Sequence, residues 1–247
     1  MNFRNIIAPW VFYFRRTGSV VTDASAVIQS INPPPEMFLV LADEQSDGIG
    51  RHGNHWQSPR GGLYFSHCQL SEETPSGITL LIGLVLFQTM LDHFPALQNG
   101  LKLKWPNDLL YDGKKLAGIL VEQYQGYLIA GIGINTNSDV KFAQTDILPV
   151  SLNDILCFDI SNYALLNNFI TRFSAVLPLF NSEGLSSFIN DINANLYGKG
   201  DSIVFDNGKE QINAILSGVS ESGALILTDQ SGIAKHCYSG SIISTNT

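Results

Sequence analysis

Residues 101–135 read LKLKWPNDLLYDGKKLAGILVEQYQGYLIAGIGIN. Asp112-Gly113 and Gln125-Gly126 have the form of two-residue hairpin turns, Asp-Gly being the stronger signal of the two. They divide the stretch into three strands: LKLKWP (101–106), KLAGILVE (115–122) and YLIAGIGIN (127–135). Leu101, Leu103 and Trp105 alternate with Lys102 and Lys104, which turns Trp105 to the core and Lys104 to the opposite face. Pro106 ends that strand, since proline has no N–H for a ladder.

The second turn predicts a register in which Gly118 lies opposite Gly133 and Leu120 opposite Gly131. Three glycines then leave a bare patch on one sheet face, with Asn135 at its end. Glycine inside a strand weakens it, so such a cluster marks the close approach of something else, either a packed helix or a flat ligand. Strict alternation points Lys115 away from this patch. A bulge near Lys115, or a different register, is needed to bring it there.

Outward from this core, WVFYFRR (10–16), MFLVLADE (37–44) and GLYFSHCQL (62–70) read as further strands. A short helix is expected around Ala24–Ser30, and INPPPE is a loop because of its three prolines. A long apolar helix is expected from Thr74 to about Leu97, with Ser71 and Ser76 as candidate caps. Two more helices are expected at about 161–180 and 183–196. After Tyr197-Gly198 come DSIVFDNG, KEQINAILSGVS, GALILTD and IAKHCYSG, short strands broken by Gly, Asn and Asp. They suggest a small β-barrel of roughly 50 residues.

The chain has 247 residues, is 45% hydrophobic and 15% charged, and carries a formal net charge of -8. Its pI near 5.0 argues against general nucleic-acid binding, which needs many Lys and Arg for phosphate contacts. The cysteines Cys68, Cys157 and Cys237 have no metal-binding spacing and read as reduced thiols of a cytoplasmic protein. The N-terminal run IIAPWVFYF has Arg15 and Arg16 behind it, where a signal peptide would have a small-residue cleavage site, and it reads as a strand, not a signal peptide. ITLLIGLVLFQTML is too short to span a membrane. Against this acidic background, DGIGRHGNHWQSPRGGLYFS (47–66) is locally cationic, with no carboxylate from Gly48 to Ser71. Its glycines let backbone N–H groups approach a ligand, and Arg51 can fork onto a carboxylate or phosphate. Taken singly, the Asn107-Asp108 pair reads as a turn cap and Lys114-Lys115 as a hairpin rim.

Taken together and in this order, the glycine loop, SPRGGLYFS, KWPND, KLAGIL and GIN resemble the biotin protein ligases, over nearly the whole chain. The implied fold is α+β: a mixed-sheet catalytic domain of the biotin/lipoate ligase type with helices on one side, over residues 1–197. A small SH3-like C-terminal barrel would cover residues 198–247. Because the chain starts almost at the first catalytic strand, the resemblance implies a monofunctional ligase without a DNA-binding domain. It would form biotinyl-5′-AMP from biotin and ATP with Mg²⁺, then transfer biotin to a lysine of a biotin carboxyl carrier domain. No nucleic acid or membrane partner is implied, and a homodimer is allowed.

By motif position, Lys115 and Arg51 would be catalytic. Ser19, Val20, Gln45, Ile49, Gly50, Gly118, Gly131 and Gly133 would join them in holding biotin. Arg51, Trp56, Lys104, Asn107, Lys115 and Asn135 would serve the adenylate, and Asp108 with Asn135 the metal. Three departures stand out: Ile49 replaces the Arg of a GRG element, RHGNHW replaces a more basic run, and Gly18-Ser19-Val20-Val21 stands where DSTN is usual. Lipoate or octanoate ligation, or a weakly active biotin-binding paralogue, are the alternatives these departures leave.

Overall fold

Met37–Ala42 (β2) sends Leu39 and Leu41 to one face of its sheet and Phe38 and Val40 to the other, and all four are buried. A strand buried on both faces needs cover on both. The structure, a computed structural model, describes residue 8 and residues 10–140 and 147–246 and supplies that cover; Ile6, Ile7 and Pro9 of the N-terminal run lie outside the described residues. On the Leu39/Leu41 face lie α2 (Ile78–His93) and α4 (Asn162–Glu183), with Phe169 of α4 set 5.5 Å from the ring of Phe65. On the Phe38/Val40 face lies α1 (Val20–Ser30), through Val20, Val21, Ala24, Val27 and Ile28. The expectation of helices on one side is therefore corrected: it holds for α2 and α4, whereas α1 covers the other face.

The sheet has seven strands: β1 (Val11–Phe14), β2, β3 (Leu63–Leu70), β4 (Leu101–Lys104), β5 (Asp108–Tyr111), β6 (Lys114–Tyr124) and β7 (Tyr127–Ile134). Their order is β1-β2-β3-β7-β6-β5-β4. Only β1 and β2 pair in parallel, joined by the α1 crossover; the others pair antiparallel. β5 is a strand that the sequence reading lacks. Trp105-Pro106-Asn107 reverses the chain, so Lys104 pairs with Asp108 and four strands stand where three were expected. Both predicted two-residue turns are present, with positive φ at Asp112, Gly113, Gln125 and Gly126.

Helix ends differ from expectation for local reasons. α1 starts at Val20, not Ala24, because Ser19 Oγ accepts from Val21 N (3.3 Å) and Gln45 Oε1 accepts from Val20 N (2.8 Å). Neither proposed cap serves α2, which begins after Gly77 at a φ of 81°. Ser71 Oγ donates instead to Glu73 O, and Ser76 Oγ to Ser222 O in the C-terminal region. α3 (Leu152–Leu156), capped by Ser151, was not anticipated, and α5 is confined to Ile189–Ala194.

The C-terminal strands β8 (Ser202–Asp206), β9 (Gln211–Val219), β10 (Leu225–Thr228), β11 (Ala234–Cys237) and β12 (Ser241–Asn246) form an antiparallel sheet in the order β11-β10-β9-β8-β12. β12 was missing from the sequence reading. This sheet docks on the first core through Trp105, whose Nε1 donates to Gly223 O (3.0 Å) and whose ring lies 6.0 Å from Phe205. No helix among the described residues is long and apolar enough to cross a membrane.

One buried group ties this fold to pH. His67 on β3 is 5% exposed, and its ring meets Phe173 edge-on at 5.2 Å. Burial pushes its pKa down to about 4, so the native imidazole is neutral. The unfolded chain binds the proton near the ordinary histidine pKa of roughly 6.5, so stability is full above that value and falls as pH drops toward 4, by roughly 3 kcal/mol at most. Urea unfolding between pH 7 and pH 4 should show this loss, and His67→Phe should flatten it. An unchanged acid slope in that variant would rule His67 out as its source.

Candidate active site

Leu116 and Ala117 are neighbours in β6, yet both are fully buried in the same core cluster as α2. In a regular strand they would point to opposite faces. The pairing with β5 shows why they do not: Leu109 lies opposite Ala117 and Leu110 opposite Lys115, which leaves Leu116 as an extra residue. This is a β-bulge, and it puts Lys115 and Gly118 on one face. Of the two routes left open by the sequence, the bulge is the one taken.

The predicted register also holds, with Gly118 opposite Gly133 and Leu120 opposite Gly131. Two side chains lie directly on this glycine floor. A Cβ at Gly118 would stand 2.7 Å from the Trp56 ring, and one at Gly133 would stand 2.4 Å from Trp56 Nε1. A Cβ at Gly131 would meet Val21 of α1 at 2.5 Å. The glycines therefore serve both a helix and a flat ring, the ring being the chain's own indole.

Trp56 arrives there on a short hairpin. Ile49 bridges His55, Gly50 N donates to Asn54 O (2.7 Å), and Trp56 N donates to Gly48 O (2.8 Å), with a tight turn at Arg51–Gly53. Gly48 is required, since any Cβ would lie 2.4 Å from Trp56 O and 2.7 Å from Ser58 Oγ. Gln45 anchors the hairpin to α1: besides accepting from Val20 N, its Nε2 donates to Ser58 Oγ (2.6 Å), and Ser58 Oγ donates to Trp56 O (3.1 Å).

The charges converge on the floor's edge. Lys115 Nζ lies 2.9 Å from Asp108 Oδ2 and 5.2 Å from the centre of the Trp56 ring. Arg51 Nη1 donates to Asn107 Oδ1 (3.4 Å), while Asn107 Nδ2 donates to Ile119 O (2.9 Å). Burial lowers the pKa of Arg51, and the nearby Asp108 partly opposes the shift. Arginine stays protonated, so this half-buried cation is costly alone and is relieved by any anion that reaches it. Trp56 Nε1 and Asp108 Oδ1 are buried without hydrogen-bond partners. Among the described residues no group of three or more His, Cys, Asp or Glu is placed to hold a metal.

These groups line a cavity of about 170 Å³. Ser19, Val20, Gln45, Ile49, Gly50, Arg51, Lys115, Gly118, Gly131 and Gly133 all reach it, as do Trp56, Asn107 and Asp108. Lys104 and Asn135 do not. Asn135 is 3% exposed and its Nδ2 donates to the Lys115 carbonyl (3.1 Å). The sequence reading missed Val21, Leu120 and Ile132 as walls. It also missed Ser241, which reaches the cavity from the C-terminal sheet across more than a hundred residues of chain and leaves no local signal.

Residues 19–139 match the model of the biotin/lipoate A/B protein ligase family. The bifunctional ligase/repressor BirA of Escherichia coli is 31% identical over 219 residues, covering 82% of this chain and 64% of that protein. The chain thus spans just under two thirds of that relative. The biotin–[acetyl-CoA-carboxylase] ligase of Paracoccus denitrificans is 28% identical over 205 residues, covering 78% of this chain and 85% of that one. Among solved structures, a biotin protein ligase from Aquifex aeolicus in complex with biotin and ATP superposes with a TM-score of 0.83 at 26% identity, over 96% of this chain and 99% of that one. Residues 19–139, which hold this glycine floor, its hairpin and Lys115, thus form a domain of the biotin/lipoate A/B protein ligase family.

Proposed function

We propose that this chain is a biotin protein ligase acting in two steps in the cytoplasm. In the first, a carboxylate oxygen of biotin attacks the α-phosphorus of ATP and pyrophosphate leaves, giving biotinyl-5′-AMP. In the second, a carrier-domain lysine amine attacks the acyl carbon, AMP leaves with the bonding pair, and the amine loses a proton. The observation that carries this reading is the bulged Lys115, which lines the same cavity as Arg51 and the glycine floor, its amino group over the Trp56 ring. Two anions must meet in the first step, and cations fixed in advance at their meeting point stabilise the charge that develops. Lys115 is suited to bridge the biotin carboxylate and the α-phosphate. Arg51, already paying for burial, gains from the same phosphate. The hairpin excludes water from a reactive mixed anhydride.

Magnesium fits this site only as an ion held by one carboxylate. Asp108 Oδ1 is buried and unpartnered, Asn135 lies off the cavity, and substrate phosphates would supply the other oxygens. The ion's contribution would be to neutralise phosphate charge. We further infer a catalytic unit over residues 1–197 and a C-terminal unit over 198–247 whose five-stranded sheet is of the SH3-like kind. The carrier would be the biotin domain of a biotin-dependent carboxylase. Apolar Val20 and Val21 at the inner wall keep lipoate or octanoate as the second reading.

Incubation with ATP, Mg²⁺, labelled biotin and a carrier domain should place label on the carrier lysine; label from octanoate or lipoate alone would replace biotin as the substrate. Lys115→Ala should slow adenylate formation about 10²–10³-fold with an unchanged circular dichroism spectrum. Ile49 lines the cavity and is 39% exposed, so Ile49→Arg has room to add a cation and should tighten ATP binding about tenfold in calorimetry. No gain there would mean that position 49 does not face the phosphates. For a ligand to lie on the floor the indole must leave it, so biotin with ATP should change tryptophan emission in the parent and not in Trp56→Phe.

A further inference from the structure

We propose that Asn135 is a positioning residue for the ligase reaction: it holds the Leu116 bulge in place and so aims the Lys115 amino group at the glycine floor. This rests on the role assigned to Lys115 above. The paired ladder of β6 and β7 ends at Ala117 opposite Ile134. One step further, Asn135 N donates to Leu116 O (2.9 Å), and its side-chain Nδ2 donates to Lys115 O (3.1 Å). A single residue thereby binds two successive carbonyls at the point where β6 departs from regular pairing. The extra residue of a bulge has no partner across the ladder, so something outside the ladder must fix the local backbone.

The rest of the frame is backbone. Lys115 N donates to Leu148 O (2.8 Å), Val150 N donates to Lys115 O (3.0 Å), and Leu152 N donates to Asn135 O (2.8 Å). Among the described residues Asn135 is the one that contributes a side-chain hydrogen bond to the Lys115 carbonyl, and that side chain is withdrawn from the cavity. An amide is suited to the position because it offers an N–H to a carbonyl. Aspartate would set a carboxylate against that carbonyl, and alanine would leave the carbonyl with Val150 alone. Without the bulge, alternation would turn Lys115 away from Gly118. The amide thus acts on chemistry through the backbone of another residue and needs no contact with substrate.

Two measurements test this. The first uses an amine-selective acylating reagent and mass spectrometry to compare labelling of Lys115 with that of its exposed neighbour Lys114. Lys115 is shielded and ion-paired to Asp108, so Asn135→Ala should raise the Lys115-to-Lys114 ratio several-fold, while a merely loosened fold would raise both; an unchanged ratio overturns the proposal. The second is a double-mutant cycle on binding of pre-formed biotinyl-AMP. Asn135→Ala should weaken binding about tenfold with Lys115 present and less than about twofold in a Lys115→Ala background. Equal losses in both backgrounds would mean that Asn135 touches the ligand or supports the fold independently, and would overturn the assignment. If the alanine variant does not fold, Asn135→Ser, which keeps a donor at the position, is read by the same two arms with smaller shifts in the same direction. A parent that makes no biotinyl-AMP would refute the functional reading, while the labelling ratio would still decide whether Asn135 aims Lys115.

Discussion

One extra residue in one strand decides where the charge of this site goes. Leu116 has no partner on β5, so Leu116 and Ala117 both enter the core and Lys115 emerges on the face of Gly118, over the Trp56 ring. The placement of the site's lysine depends on that reversal. The glycines of β6 and β7 make a floor that side chains can approach closely, but they carry no charge themselves. Asp108 fixes the ammonium from the adjoining strand, and the hairpin places an aromatic face beneath it. A cation held by a carboxylate and a ring is pre-oriented, so the ammonium itself need move little when an anion replaces those partners, while the indole must swing off the floor.

The acidic balance of the whole chain and the cationic site are compatible because they act over different distances. Surface carboxylates are screened within roughly 10 Å at ordinary ionic strength, while Arg51 and Lys115 sit in a partly enclosed cavity where their fields are less damped. A net charge of -8 keeps polyanions at a distance without cancelling a local grip on one small phosphate compound.

Much of the fold was legible because it is written in short-range signals. Asp112-Gly113 and Gln125-Gly126 fixed two turns, and the second fixed the Gly118–Gly133 register, because a two-residue turn leaves no slack. The bulge had a signal too, in the adjacent apolar pair Leu116-Ala117, but such a pair also occurs in strands buried on both faces. β5 was missed because DLLY is short and lies between two turns. The cover of the floor by Val21 and Trp56, the clasp of Arg51 by Asn107, and the reach of Ser241 into the cavity join residues far apart in sequence. Pattern reading has no access to such pairs. Motif position assigned Asn135 to the adenylate and metal, and the sequence could not show that its amide faces the backbone of Lys115 and not the cavity.

The anchoring of the hairpin to α1 has a polarity of its own. Val20 N–H gives to Gln45 Oε1, Gln45 Nε2 gives to Ser58 Oγ, and Ser58 O–H gives to the carbonyl of Trp56. Every donor in this series points the same way, from the first free N–H of a helix to the residue lying on the floor. Such a run has one sense only. Flipping the glutamine amide would set donor against donor at the helix and draw the serine hydroxyl from the Trp56 carbonyl to the amide oxygen. The orientation of one amide thus registers whether helix start and hairpin are engaged, and any ligand that claims that amide for itself unfastens both ends together.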